Sequence, residues 1–328
     1  MQTLRQILEE IKSYSERQDM LREPQNLYAP IEYILELGGK RLRPALVLMS
    51  NNLYADNIES ALPAAFAIEL FHNFTLMHDD IMDKAPLRRG KQTVHEKYDI
   101  NTGILSGDAM LILSYQYLLK NCENDNIAAK IIKIFNKSAI EVCEGQQMDM
   151  DFENRQDVSI SEYLKMIELK TAVLLGAALE IGTVMATDKQ DDARHLYEFG
   201  RNIGIAFQLQ DDILDSFGDP LTFGKKVGGD ISQNKKTFLY LHSLELASAE
   251  MREDLWKWYH SEEETDRTGE KIEEVKRIFL QCGVVEKAHE LKNRYYQEAM
   301  KHLEEVSVED HRKSVLRNFA EDLLHRNV

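Results

Sequence analysis

Residues 62–83 read "LPAAFAIELFHNFTLMHDDIMD". Beyond Pro63 the stretch holds neither proline nor glycine, and its apolar residues cover most faces at helical spacing. That pattern predicts a helix buried on nearly all sides, as found inside a large α-protein. Its last turn carries Asp79, Asp80 and Asp83. Four residues turn about 400° on a helix, so Asp79 and Asp83 project from nearly the same side, with Asp80 about 100° away. The arrangement returns in "FQLQDDILDSF" (207–217), where Asp211 and Asp215 repeat the spacing and Asp212 takes the place of Asp80. Like charges at this spacing repel, and burial makes each ion costlier. Something cationic is needed to offset them.

The rest of the chain is consistent with helix. Prolines stand at 24, 30, 44, 63, 86 and 220 only, and the long stretches between are rich in Leu, Ala, Glu, Lys and Met. No sustained alternation of period two appears, so no sheet is expected. "ELGGKRLRP" (36–44) reads as a glycine turn leading into a helix whose first turn holds Pro44. "KAPLRRGKQT" (84–93) and "GDPLTFGKKVGGD" (218–230) read as loops, and "HSEEETDRTGE" (260–270) as a solvated acidic loop without a function. With no linker and no internal repeat, residues 1–328 are expected to form a single all-α domain.

Composition narrows the classes. Of 328 residues 43% are hydrophobic, enough for a sizeable core. The net charge of −16 and a pI near 5.1 disfavour nucleic acid as a partner, but leave room for a small anion held by local charge. Cys122, Cys143 and Cys282 are far apart and in no metal-ligand spacing, so a reducing cytoplasm is expected. The N-terminal stretch lacks the apolar core of a secretory signal, and no run of about 18 apolar residues suggests a membrane span.

One acidic patch of this kind is often no more than a solvated surface. Two near-identical ones on buried helices point to a hard divalent cation. Magnesium takes one or two carboxylates and completes its shell with water and phosphate oxygens, which implies a phosphorylated substrate. Basic residues accompany each cluster: Lys40, Arg41 and Arg43 before a helix start, Arg88 and Arg89 after the first cluster, and Lys225, Lys226, Lys235 and Lys236 after the second. Arginine forks match phosphate oxygens, and lysine supplies point charge.

Taken together, "GGKRLRP" (38–44), "HDDIMD" (78–83) with "RRG" (88–90), "GQQMD" (145–149), "KT" (170–171), "FQLQDDILD" (207–215) and "GKKVGGD" (224–230) with "NKK" (234–236) resemble the trans-isoprenyl diphosphate synthase, or polyprenyl synthetase, family. The match covers most of the chain, in the family's order. It implies one large helical bundle around a deep central cavity, and a homodimer. It also implies about three magnesium ions with substrate bound, manganese being able to replace them. Asp79, Asp83 and Asp211 would ligate metal; Asp215 belongs to the same metal site, acting like Asp80 and Asp230 through water. Lys40, Arg43, His72 and Arg89 match residues that hold isopentenyl diphosphate. Arg88, Lys170, Lys225 and Lys235 match those that hold an allylic diphosphate. Thr171 and Gln208 match groups beside the allylic C1, with Gln146 and Asp149 in the polar network nearby.

His72 could be an ordinary satisfied core histidine. It lies two turns before Asp79, however, and so reaches the same side of the helix, whereas His78 is read as structural. The implied reaction is the magnesium-dependent head-to-tail condensation of isopentenyl diphosphate with dimethylallyl, geranyl or farnesyl diphosphate. Phe74 and Thr75, five and four residues before Asp79, match the positions that floor the tail cavity. One aromatic, at the further position, resembles enzymes with C20 products, so an all-trans C15–C20 product is expected, with geranylgeranyl diphosphate favoured over farnesyl. Three alternatives fit less of the chain. A terpene cyclase would lack "GGKRLRP" and the second aspartate cluster. A non-catalytic subunit of a heteromeric synthase tends to lose one cluster. A helical di-metal oxidase needs Glu-x-x-His pairs, which are not found here.

Overall fold

The computed structural model describes residues 2–122, 124–218, 227–260 and 268–324. In chain order the helices are α1 (Leu4–Glu16), α2 (Gln25–Glu36), α3 (Leu42–Asn52), α4 (Leu62–Met82), α5 (Val94–Lys97), α6 (Ile100–Leu119), α7 (Asp125–Asn154), α8 (Ile160–Ile167), α9 (Val173–Ala186), α10 (Gln190–Phe217), α11 (Gly229–Ser232), α12 (Phe238–Leu246), α13 (Ala249–His260), α14 (Thr268–Gln281), α15 (Val284–Glu305) and α16 (Asp310–Leu324). The all-α expectation holds. The chain divides into two compact units. The first is Met1–Asn136, Ala177–Tyr197 and Val306–Val315; the second is Lys137–Gly176, Glu198–Glu305 and Leu316–Val328.

In the first unit α4 is the buried helix its sequence predicts. It packs against α1, α2, α3 and α6, and Phe66, Ile68, Leu70, Phe71 and Met77 are all buried. Aromatic edges hold it: Phe66 meets Tyr117 at 4.8 Å, and Phe71 meets Phe135 at 5.0 Å between ring centroids. In the second unit α10 sends Ile205, Leu209 and Ile213 into a core with Tyr163, Ile167, Phe238, Leu255, Ile278 and Phe279. The apolar faces of α4 and α10 fix their rotation, and that decides where their aspartates point.

Three local features differ from, or add to, the reading of the sequence. Within 84–93, expected to be a loop, Leu87–Arg88 pairs antiparallel with Lys91–Gln92. Arg89 (φ +54°) and Gly90 (φ +76°) supply the two left-handed positions of the tight turn between them. Two residues per strand are too few for any periodicity to show. Glu168–Ala172 forms one π-helical turn between α8 and α9, and it carries Lys170 and Thr171. Extra residues in a turn are a common way of re-aiming side chains at functional sites. Finally, the continuous helical run Ile160–Ala186 is long and apolar enough to cross a membrane, contrary to the expectation that no such run exists. Of its most apolar window 67% is buried within the protein, as in a core helix.

The π turn lies hard against α7. A Cβ on Gly145 would stand 2.2 Å from the backbone nitrogen of Lys170, whereas one on Gly269 in α14 would meet nothing within 4 Å. Gly145→Ala should therefore destabilise the protein by about 1–3 kcal/mol through backbone displacement. Gly269→Ala should leave it unchanged or stabilise it by up to about 1 kcal/mol. Urea unfolding midpoints of the two variants check this pair.

Candidate active site

At the end of α4 the three aspartates separate by role. Asp80 is buried and paired with Arg88: Arg88 Nε donates to its Oδ2 at 2.8 Å, and Arg88 Nη2 lies 2.8 Å from its Oδ1 as an ion pair. The same Nη2 lies 3.5 Å from Asp79 Oδ2. Asp83 caps the helix in αR conformation, its N–H bonded to the Asp79 carbonyl at 2.9 Å, so the one-turn spacing of Asp79 and Asp83 survives to the helix end. Asp79 is partly buried and Asp83 exposed. The hairpin turn is what brings Arg88 back to this helix. Arg88, expected to hold the allylic diphosphate, here also neutralises carboxylates.

Farther back along α4 lies a cationic cradle. Arg43, in the first turn of α3, stands with Nη1 3.1 Å from His72 Nε2. A guanidinium only donates, so His72 Nε2 accepts and the proton of the neutral ring resides on Nδ1. Burial, followed by the charges of Arg43, Arg89 and Arg88, holds the His72 pKa well below its usual value. Burial likewise brings Arg43 down to about 10, with Glu69 acting in the opposite direction. Glu69 is itself buried, and burial raises its pKa against the pull of Arg43, Arg41 and Arg89. Arg89 lies at the left-handed hairpin turn. Lys40 is exposed, next to the helix start. Cations outnumber the one buried carboxylate, which suits a small polyanion. His78 Nε2 donates to the Ile104 carbonyl at 3.1 Å.

Phe74 and Thr75 share this helix. Phe74 meets Phe71 at 5.6 Å and His78 at 4.8 Å, and Thr75 Oγ1 donates to the His72 carbonyl at 2.8 Å.

On the part of α10 that belongs to the second unit, from residue 198 onward, the middle aspartate is again the buried one. Asp212 is buried and accepts from the Tyr163 hydroxyl and, at 3.4 Å, from the Phe238 N–H. Burial, then the charge of Asp230, pushes its pKa well above the ordinary carboxylate range. Asp211 and Asp215 are partly exposed. Asp215 Oδ2 accepts the Asp230 N–H at 2.9 Å, so it caps α11. Lys235 Nζ stands 3.7 Å from Asp230 Oδ1. On the π turn, Lys170 Nζ is 2.6 Å from Asp149 Oδ2 and Thr171 Oγ1 is 3.4 Å from Gln208 Oε1, which brings together four of the residues singled out from sequence. Lys225 and Lys226 lie outside the described residues.

The donor chemistry fits magnesium. Each helix offers hard carboxylate oxygens one turn apart, and among the described residues no three His, Cys, Asp or Glu side chains form a metal site by themselves. A cation that draws part of its shell from a phosphate needs no closed protein cage. Reading the sequence missed Glu69, Tyr163 and Lys271. A glutamate inside "FAIELFHNF" is a signal that could have found the first. The others are identified only by their distant partners.

The polyprenyl synthetase family model matches residues 24–278. A short chain isoprenyl diphosphate synthase of Methanocaldococcus jannaschii is 42% identical over 252 residues, which is 77% of this chain and 75% of that one. A geranylgeranyl diphosphate synthase of Methanosarcina mazei is 36% identical over 306 residues, 91% of each chain. The crystal structure of a geranylgeranyl pyrophosphate synthase superposes with a TM-score of 0.92 at 48% identity, covering 99% of both chains.

The neutral state of His72 has a consequence for stability. Between the unfolded value of about 6.5 and the lower folded value, the unfolded chain binds a proton that the folded chain does not. Stability is therefore full above about pH 6.5 and falls as the pH drops, by up to about 1.4 kcal/mol per pH unit from this group. Denaturant unfolding between pH 7.5 and 5.5 should show this slope, and His72→Gln should reduce it.

Proposed function

Because the chain belongs to the polyprenyl synthetase family, we propose that it condenses isopentenyl diphosphate with an allylic diphosphate, giving a short all-trans product with geranylgeranyl diphosphate favoured. The observation that carries this reading is the paired division of labour. On both α4 and α10 the middle aspartate is buried and bonded by protein groups and the outer pair keeps its one-turn spacing, with Arg88 3.5 Å from Asp79 on the first and Lys235 3.7 Å from Asp230 near the second. We take the chain to work as one functional domain, because the family model spans residues 24–278, which include parts of both units.

In this reading Asp79, Asp83 and Asp211, with Asp215, hold magnesium. When bound, it neutralises the allylic diphosphate and draws electrons from it, making it a better leaving group. Lys170 and Lys235 add point charge to that diphosphate, and Arg88, already shared between Asp79 and Asp80, adds a fork. Arg43, Arg89, Lys40 and the Nδ1–H of His72 hold isopentenyl diphosphate. The allylic C1–O bond breaks with its electron pair leaving on the diphosphate. The isopentenyl double bond then attacks C1, and the departed diphosphate takes the proton that restores a double bond. Thr171 and Gln208 line C1, and apolar walls keep water from the cation.

Chain length falls to Phe74 and Thr75. Phe74 is braced by two rings, so its side chain makes a firm floor. Purified protein with isopentenyl diphosphate and dimethylallyl, geranyl or farnesyl diphosphate should yield mainly C20 alcohols after dephosphorylation and chromatography. Phe74→Ala should extend the products beyond C20, and Thr75→Phe should shorten them toward C15. Asp79→Ala should lower kcat about 10³-fold, or ~4 kcal/mol. Full turnover in excess EDTA, or no condensation at all, refutes the assignment.

We further take the protein to be a cytoplasmic homodimer; its three cysteines are unpaired. Ile104, Leu105, Ile112 and Leu119 are 43–60% exposed on α6, the last three at intervals of seven, a stripe that a second helix would cover. Light scattering should give a dimer for the wild type and a monomer for Leu105→Glu with Ile112→Glu.

A further inference from the structure

Residues 227–237, ahead of α12, contain only α11 as regular structure. They carry Asp230 and Lys235. Protein groups tie them down repeatedly. Asp215 accepts the Asp230 N–H, and Asp212 accepts the N–H of Phe238. Lys236 Nζ donates to the carbonyls of Phe152 at 2.6 Å and Glu153 at 3.2 Å, at the end of α7. One more tie comes from α14. The ammonium of Lys271 donates to Oδ1 of Asn234, the residue immediately before Lys235.

Three features mark this last tie as purposeful. Lys271 is only 9% exposed, and its Nζ stands 5.2 Å from the centroid of the Tyr259 ring. Burying an ammonium against an amide oxygen and a ring face is dearer than burying an apolar side chain of the same length. Asn234 has φ +58°, a left-handed conformation that asparagine tolerates better than most residues but that still needs support. And the neighbour of Lys271, Ile272, contacts the start of the same stretch: a Cβ on Gly228 (φ +83°) would fall 2.7 Å from Ile272 Cγ2. Gly228 and Asn234 thus both seat on the first turn of α14, with Asp230 between them and Lys235 just beyond. Lys235 itself keeps 48% of its side chain exposed.

We infer that Lys271 is a positioning residue, which fixes the Asn234 turn and so determines where the Lys235 ammonium meets the substrate diphosphate. This rests on the reading that Lys235 binds the allylic substrate. Lys271 does not touch substrate; it acts through Asn234 and Lys235.

The test uses Lys271→Met, which keeps the stem and removes the ammonium, and Asn234→Gly, which suits a positive φ and removes the acceptor. With geranyl diphosphate and isopentenyl diphosphate as substrates, each variant should raise KM for geranyl diphosphate about tenfold and change KM for isopentenyl diphosphate less than about twofold. Lys271→Arg should restore most of the loss. In a Lys235→Ala background neither substitution should add more than about a further twofold effect, since both act through that side chain. Hydrogen exchange of the amides at 233–237 should quicken in both variants. A weakened Lys271→Met beside an unaffected Asn234→Gly would mean that the ammonium meets substrate directly, and would overturn the inference. So would additive effects with Lys235→Ala, or equal rises in both KM values. If Lys271→Met does not fold, Asn234→Gly carries the test. If the wild type condenses nothing, the proposed function fails, and unchanged exchange in the variants separately refutes the positioning role.

Discussion

Two carboxylates one helical turn apart on a largely buried helix repel each other, and the groups around both acidic trios answer that constraint. It does so twice, in the same way. The middle aspartate of each trio is withdrawn into a protein bond: Asp80 into the Arg88 ion pair, Asp212 into the Tyr163 hydroxyl and the Phe238 N–H. Such bonds are strong because they are buried and, at Asp80, charge-assisted. They also fix the rotation of the last turns of α4 and α10, and with it the direction of Asp79, Asp83 and Asp211. Asp215 contributes to both roles, since its Oδ2 caps α11.

The cationic groups obey a matching logic. Arg43 is held beside a histidine that burial keeps neutral, so the pair presents one positive charge and not two. Glu69 lowers the cost of gathering Arg41, Arg43 and Arg89 in one place. Backbone strain concentrates here as well. Arg41, Lys84 and Arg89 all adopt positive φ, at the edges of the acidic and basic segments. Non-glycine residues in that region persist only where surrounding structure holds them, and they cluster at ligand clamps. The π turn at Glu168–Ala172 belongs to the same class of local irregularity, and it brings Lys170 to Asp149 and Thr171 to Gln208.

Much of this is legible in the sequence alone. The helical nature of α4 and α10 follows from apolar spacing, and the pairing of Asp79 with Asp83 and of Asp211 with Asp215 follows from the helical period. Other features left no trace in the spacing. The Leu87–Arg88 hairpin is too short to alternate, and the buried run Ile160–Ala186 is read differently by a hydropathy window and by the fold. Lys271 stands just past an acidic stretch that suggests nothing but solvation, and its importance rests on Asn234, 37 residues away.

The sequence by itself determined which residues share a helix face, because periodicity is local and the apolar stripe dictates which side turns inward. It thereby settled the all-α class, the two acidic faces and the basic segments that accompany them. Only the tertiary structure decided that the middle aspartate of each trio is buried against a protein donor, that His72 is neutral, and that Lys271 braces the Lys235 turn. Those outcomes depend on burial and on partners brought together from far along the chain, such as Tyr163 with Asp212 across 49 residues. Desolvation and hydrogen-bond geometry set them, and neither exists until the helices have packed.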